Sequence, residues 1–284
     1  EMAEYGRASF WHTRHLNIET IFLPEIFEDF SNSHLNYLAF KLATAHQAGY
    51  VEFGTFAFKL SSVHDLFPPD LIVANLQSIC KEASPVSPLE VFFRLFPHRE
   101  MARDLFHVLE GARIDHSLRR EYPGLKKEMD EFLQEALVNR QPAADLPLQE
   151  AMLEFILRAT AGGQGDHRIP QTMLSFLEDL SCVINPLMEK GSTVEDSARA
   201  TVTLYGLISS IPNAPSGAFP AEIRSVRRHD LLAGLPGNTR ERNLAFQAAE
   251  GKDRPYDRLV PLPHRGQLGP ELLQHMLHPQ NIRL

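Results

Sequence analysis

Cysteine is nearly missing from this chain: Cys80 and Cys182 are the only two in 284 residues. They lie far apart, with no C-x-x-C pair and no Cys/His metal spacing around either. That excludes a disulfide framework and a cysteine-built zinc site, and it fits a reducing compartment. Long apolar runs are missing as well. Stretches such as Leu71 to Ala74 fall far short of the roughly 20 residues a membrane helix needs, and no signal peptide opens the chain, so a cytoplasmic location is expected. A phosphate-cradling loop is absent too, because Gly162-Gly163-Gln164-Gly165 lacks the following Lys-Ser/Thr and the preceding strand. No G-x-S-x-G nucleophile elbow occurs.

Positive charge is in deficit, and unevenly. The net charge is −8. From Pro212 onward 10 Lys/Arg face 7 Asp/Glu, whereas the first 211 residues carry 18 against 29. An acidic body thus precedes a mildly basic tail. Such a body repels nucleic acid, and the tail's small excess is too weak to argue phosphate binding. Glu1 in place of Met and the closing Asn-Ile-Arg-Leu suggest a processed chain or a piece of a longer one.

What is present is helical periodicity. Leu35, Leu38, Leu42 and Ala45 recur at steps of three or four, predicting a helix capped by Ser31 or Ser33 and running to about Gly49. Beyond it Val51 to Leu60 either continues the helix or bends away at Gly54. After the Pro-rich excursion Ser62 to Ser87, which leaves room only for a short helix over Leu71 to Lys81, Met101, Leu105, Leu109 and Ala112 mark a second core helix. It ends near Tyr122 because Pro123 disfavours a helical residue before it. Amphipathic helices follow at Leu125 to Val138, at Leu148 to Ala159, from Pro170 through Ile184, and at Val194 to Ile211, the last opened by a Ser192-x-x-Glu195 capping box. No repeat and no run of strands is visible. Residues 1 to 30 read as an approach segment packing on the body. From Pro212 periodicity dissolves: 9 of the 20 prolines fall in the last 73 residues. Such a tail, with short helices expected near 240–250 and 270–277, is stable only when laid along a body or a partner. The expected fold is therefore all-α, a helical body over residues 1–211 followed by a Pro-rich irregular tail over 212–284.

The chain centres on Ala43 to Phe58, A-T-A-H-Q-A-G-Y-V-E-F-G-T-F-A-F, where His46 and Tyr50 lie one helical turn apart on one face. In H-E-x-x-H, two histidines at that spacing hold zinc and the intervening glutamate acts on the bound water. Here Gln47 stands for the base and Tyr50 for the second ligand, so the helix reads as a zincin-like helix without its chemistry. The second helix carries Glu110, Arg113 and Asp115 inside an apolar pattern, charges that burial permits only if they are paired. We expect a structural polar network over His46, Glu52, Glu110, Arg113 and Asp115, with no catalytic residue, no metal and no cofactor. A solvated face and residual metal binding are the other readings of the same residues.

Three further signals carry less. Asp29-x-Ser31-x-Ser33 spells an adhesion-type metal signature, but without an apolar strand leading into the aspartate it reads as a helix cap. The remaining histidines, including the i,i+3 pairs His12/His15 and His275/His278, read as surface residues. Arg224, Arg227 and Arg228, next to His229, form a basic cluster that suits an acidic partner groove or a solvated turn.

Two stretches, His46-Gln-Ala-Gly-Tyr-Val-Glu-Phe-Gly-Thr55 and Leu105-Phe-His-Val-Leu-Glu-Gly-Ala-Arg-Ile-Asp-His-Ser-Leu-Arg-Arg-Glu-Tyr-Pro-Gly-Leu125, resemble the von Willebrand A-domain proteins of the NorD and CbbO type. The resemblance covers residues 35 to 125 well and the rest loosely. It implies a MoxR-type AAA+ ATPase as partner and a target enzyme to remodel, Rubisco favoured over nitric oxide reductase, with the metal-binding A domain lying outside this chain. It also matches Glu110 to the acid that relatives with a complete H-E-x-x-H would use as a ligand. The expectation is a non-enzymatic adaptor whose Arg224, Arg227 and Arg228 bind the partner. The alternative is a zincin-type metal-dependent hydrolase using His46 and Glu110.

Overall fold

A computed structural model of the chain describes residues 3–4, 22–23, 26–80, 86–162, 180–211, 213 and 255–266. It is mainly helical, as the periodicity predicts. The helices are α1 (Ser33–Glu52), α2 (Pro69–Ile79), α3 (Pro88–Arg94), α4 (Arg99–Glu121), α5 (Pro123–Val138), α6 (Leu148–Thr160) and α7 (Val194–Ser209). Short 3-10 turns connect them, and the only described strands are the two-residue antiparallel partners Ala3–Glu4 and Phe22–Leu23.

The centre is α4. Of its 23 residues 15 are buried, including Asp104, Glu110, Arg113 and Asp115, and it packs on α1, α5, α6 and α7. A helix enclosed on every side needs apolar residues around its whole circumference, and its charged residues must find partners within the fold. Gly49 lets α1 approach closely: a Cβ there would stand 2.7 Å from Ile114 Cγ2. Phe30, just ahead of α1, stacks edge-on against Phe132 of α5 with ring centres 5.5 Å apart. The segment joining α1 to α4 adds a cluster of rings in which Phe92 meets Phe58, Phe67, Phe96 and Phe106.

Helix ends follow side-chain chemistry. At α1 the cap is Asn32, between the two serines expected, and its Oδ1 accepts from His34 N at 2.9 Å. The helix continues through Glu52 and turns away at Gly54, where φ is +76°, a conformation glycine adopts without a Cβ clash. The capping box of α7 is shifted by one residue from the expected register: Thr193 is the cap and Asp196 reaches back to its backbone N–H at 2.8 Å. Both registers place a hydroxyl and an acid three apart, and Ser192 instead donates to Leu187 O at 2.8 Å. Pro123 occupies the first turn of α5, so one proline ends α4 and begins its neighbour.

The tail is represented by residues 255–266, an irregular strap lying on the helical body. Asp104 gathers it, accepting from Tyr256 Oη at 2.9 Å, Leu259 N at 2.9 Å and Arg258 Nη2 at 3.2 Å. Glu150 accepts from Asp257 N at 2.7 Å. Arg140 donates to Val260 O at 2.6 Å and Pro261 O at 3.3 Å while paired with Glu154. The helices expected after Pro170, near 240–250 and near 270–277 fall mostly or wholly outside the described residues.

Candidate functional site

Following the strap to its end brings His264 and Arg265 onto the face that α1 and α4 share. Asp115 is their common partner. His46 Nδ1 lies 2.9 Å from Asp115 Oδ1, and His264 Nε2 lies 3.2 Å from both carboxylate oxygens. Arg265 Nε donates to Oδ2 at 2.9 Å, and its Nη1 donates to Val108 O at 3.2 Å. His46, Asp115 and His264 are wholly inaccessible to solvent. The guanidinium reaches Asp115 across Gly111, where a Cβ would come 2.8 Å from Arg265 Cδ. Tyr50 packs edge-on against His46, with ring centres 4.7 Å apart, and Phe132 does the same to His264 at 5.4 Å.

The electrostatics follow from burial and pairing. Burial pushes the Asp115 carboxyl up, but Arg265, His264 and His46 together outweigh it and hold the group well below its ordinary value. Burial, opposed by Asp115, depresses the His264 imidazole to about 4. Burial, reinforced by Glu110, raises the Tyr50 phenol and keeps it protonated. An ionised Asp115 only accepts hydrogen bonds, so the ring nitrogens facing it carry the hydrogens. That leaves His46 Nε2 and His264 Nδ1 buried with no partner among the described residues.

Glu110 belongs to a second cluster. Its Oε1 accepts from Thr55 Oγ1 and from Arg113 Nη2 at 2.6 Å, and its Oε2 accepts from Arg113 Nε at 2.8 Å and Ser197 Oγ at 2.7 Å. Arg113 also donates to Phe53 O at 3.0 Å and Ser192 O at 3.1 Å, tying the end of α1 and the start of α7 to α4. Burial pushes the Glu110 carboxyl up, and Arg113 with the hydroxyl donors brings it below its ordinary value. Glu52 is elsewhere again, partly buried, accepting from Tyr122 Oη at 2.8 Å.

The single network expected over His46, Glu52, Glu110, Arg113 and Asp115 is therefore divided by hydrogen bonding into three groups. The division follows from α4 itself. Glu110 and Asp115 are five residues apart, so they diverge on the helix surface toward different neighbours. The reading of His264 as one of the surface histidines is overturned, since the side chain is wholly buried against Asp115, and sequence reasoning gave Arg265 no role. They lie about 150 residues from Asp115 in a Pro-rich segment without periodicity, and only the pairing demand of Asp115 hinted at a distant partner. Arg224, Arg227 and Arg228 lie outside the described residues, as do His12, His15, His275 and His278. Asp29, Ser31 and Ser33 are exposed at the start of α1, where Asn32 caps the helix. Cys80 and Cys182 are exposed.

Chemically, two imidazoles and a carboxylate here converge from three elements, His46, Asp115 and His264, with donor atoms all within 4.8 Å of one another. Glu110 is not among them. No helix among the described residues is long and apolar enough to cross a membrane. Comparison of the chain with protein-family models, with curated proteins and with solved structures gave no match in any of the three.

Proposed function

We propose that this chain is a non-enzymatic helical adaptor that works with a MoxR-type AAA+ ATPase to remodel a target enzyme, Rubisco favoured and nitric oxide reductase next. One observation carries the non-enzymatic part: His46 and Asp115, the chemistry-bearing residues of the two signature stretches, are fully buried and engaged with the strap. A reaction centre needs a position that a substrate can reach. These side chains instead hold three segments of the fold together. Support for the ATPase partner is the resemblance of residues 46–55 and 105–125, together with an acidic body and a basic tail that offer surfaces of opposite sign to two partners.

The hydrolase reading, with His46 and Glu110 on one metal, has less support. The Glu110 oxygens are occupied by Thr55, Arg113 and Ser197, and its neighbours are not those of His46. Gln47 and Tyr50 stand where the base and second ligand of that chemistry would be.

Co-expression with a MoxR-type ATPase tests the adaptor reading. The expected result is a complex that survives size-exclusion chromatography and is weakened by the double charge reversal R227E/R228E. Absence of any complex with the native chain overturns the reading, and a complex indifferent to the reversal removes the role of that basic cluster.

A further inference from the structure

We propose that His46, Asp115 and His264 form a binding site for one zinc-class divalent ion, which staples the strap to α1 and α4. The argument rests on donor type, spacing and the surrounding contacts. Two imidazole nitrogens and a carboxylate oxygen are borderline ligands that suit zinc, copper or nickel better than magnesium or calcium. Three such donors at about 2.0–2.1 Å from a tetrahedral ion stand about 3.3 Å from one another. In the structure Asp115 Oδ1 is 2.9 Å from His46 Nδ1 and 3.2 Å from His264 Nε2. These two pairs need to spread by only a few tenths of an ångström, and all three donors already lie within 4.8 Å of one another.

The carboxylate has an outer partner and both rings are held by aromatic contacts. Arg265 Nε holds Asp115 Oδ2 at 2.9 Å, leaving Oδ1 to bind an ion through one oxygen with its orientation fixed. Tyr50 and Phe132 fix the planes of the two imidazoles. Ion entry requires the nitrogens facing Asp115 to give up their hydrogens. The far nitrogens, His46 Nε2 and His264 Nδ1, have no partner among the described residues, so a neutral ring can carry its hydrogen there and turn the lone pair of its facing nitrogen to the ion. The Arg265 charge opposes the ion and limits its affinity, with the Asp115 carboxylate lying between the two. Because all three ligands are fully buried, the fourth coordination position faces protein interior, and the ion's role is to hold segments together.

The test uses the full chain, stripped with a chelator and titrated with zinc sulfate by calorimetry. One zinc per chain is expected. H46N and H264N should each weaken binding by more than the roughly 10- to 100-fold that loss of an outer-shell partner costs. X-ray absorption of the zinc-loaded native chain needs no variant and should show two imidazole nitrogens and a carboxylate oxygen at about 2.0–2.1 Å. No stoichiometric uptake, uptake unchanged in both folded variants, or a shell without two imidazoles overturns the proposal. The inference stands apart from the ATPase reading, since a chain that takes zinc here and binds no ATPase would overturn only the latter.

Discussion

Glu110 and Glu52 sit on adjacent helices, carry the same charge, and should respond very differently to removal. Glu110 is fully buried, and its loss strands Arg113, itself only 1% exposed, with Phe53 O and Ser192 O as its remaining partners. Breaking a buried pair from one side costs about 3–5 kcal/mol. Glu52 is partly buried, and Tyr122 Oη is its hydrogen-bonded partner, so Glu52→Ala should cost about 1 kcal/mol. Urea unfolding of E110A and E52A checks the contrast, and equal losses would contradict the assignment of Glu110 to a buried pair.

His107 supplies the pH dependence at this scale. Its Nε2 is buried without a partner among the described residues, and burial, with Arg103 and Arg258 adding to it, pushes the imidazole down to about 3 from an ordinary 6.5. Between those values the unfolded chain binds a proton that the folded chain refuses, so stability falls as pH drops from 6.5 toward 3. The slope for one such group is about 1.4 kcal/mol per pH unit. Glu110 adds to the loss at the acid end: its folded value lies below 4.5, so its contribution is complete above 4.5 and disappears as pH falls through the folded value. Urea midpoints measured from pH 7 to pH 4 should fall steadily in the native chain and less steeply in H107L.

At the scale of elements, the contact between α1 and α4 depends on the absence of a side chain. With a Cβ at Gly49 only 2.7 Å from Ile114 Cγ2, and Ile114 stiff at its branched carbon, Gly49→Ala must push the two helices apart. Overpacking of this kind costs about 1–3 kcal/mol, against the small gain in helix propensity that alanine brings. Thermal unfolding should show the variant less stable, where a solvent-facing glycine replaced by alanine would show the reverse. These elements were also the most legible part of the sequence. The steps of three and four in α1, α4, α5, α6 and α7 report a face buried along its length, and prolines or capping residues mark where each helix stops. The caps of α1 and α7 differ from expectation by one residue, where adjacent side chains such as Ser31, Asn32 and Ser33 offer equivalent oxygen acceptors, whereas α1 runs three residues past the expected Gly49 and the short α3, Pro88–Arg94, lies in a Pro-rich stretch where no helix is expected. The site was legible only in half. His46 and Asp115 lie in periodic segments where a charged or polar residue on a buried face is conspicuous. His264 and Arg265 lie in a segment whose structure comes from contacts with α4, α6 and Arg140 rather than from its own pattern, and such contacts leave no local signature.

At the scale of the whole molecule, the strap decides whether the helical body can stand by itself. A division at residue 211 separates the helices from the tail by composition, but three buried carboxylates cross it. Asp104, Asp115 and Glu150 each accept hydrogen bonds from residues 255–265 and are at most 4% exposed. Deleting the chain from Pro255 onward removes those donors, leaving Asp104 without its strap partners, Asp115 with His46 and Glu150 with Asn213. At about 3–5 kcal/mol for each stranded partner, the combined loss approaches the 5–15 kcal/mol that holds a typical domain folded. The costs are not strictly additive, since removing the strap lets water reach Asp104 and Glu150, each already 4% exposed. The shortened chain is therefore expected to retain helical circular dichroism while losing its sharp cooperative unfolding transition. A synthetic peptide of residues 255–266 added in trans should restore the transition. If the shortened chain unfolds as cooperatively and at the same urea concentration as the full one, the strap is a passenger on an independent body, and Asp115 must draw its compensation from His46 alone.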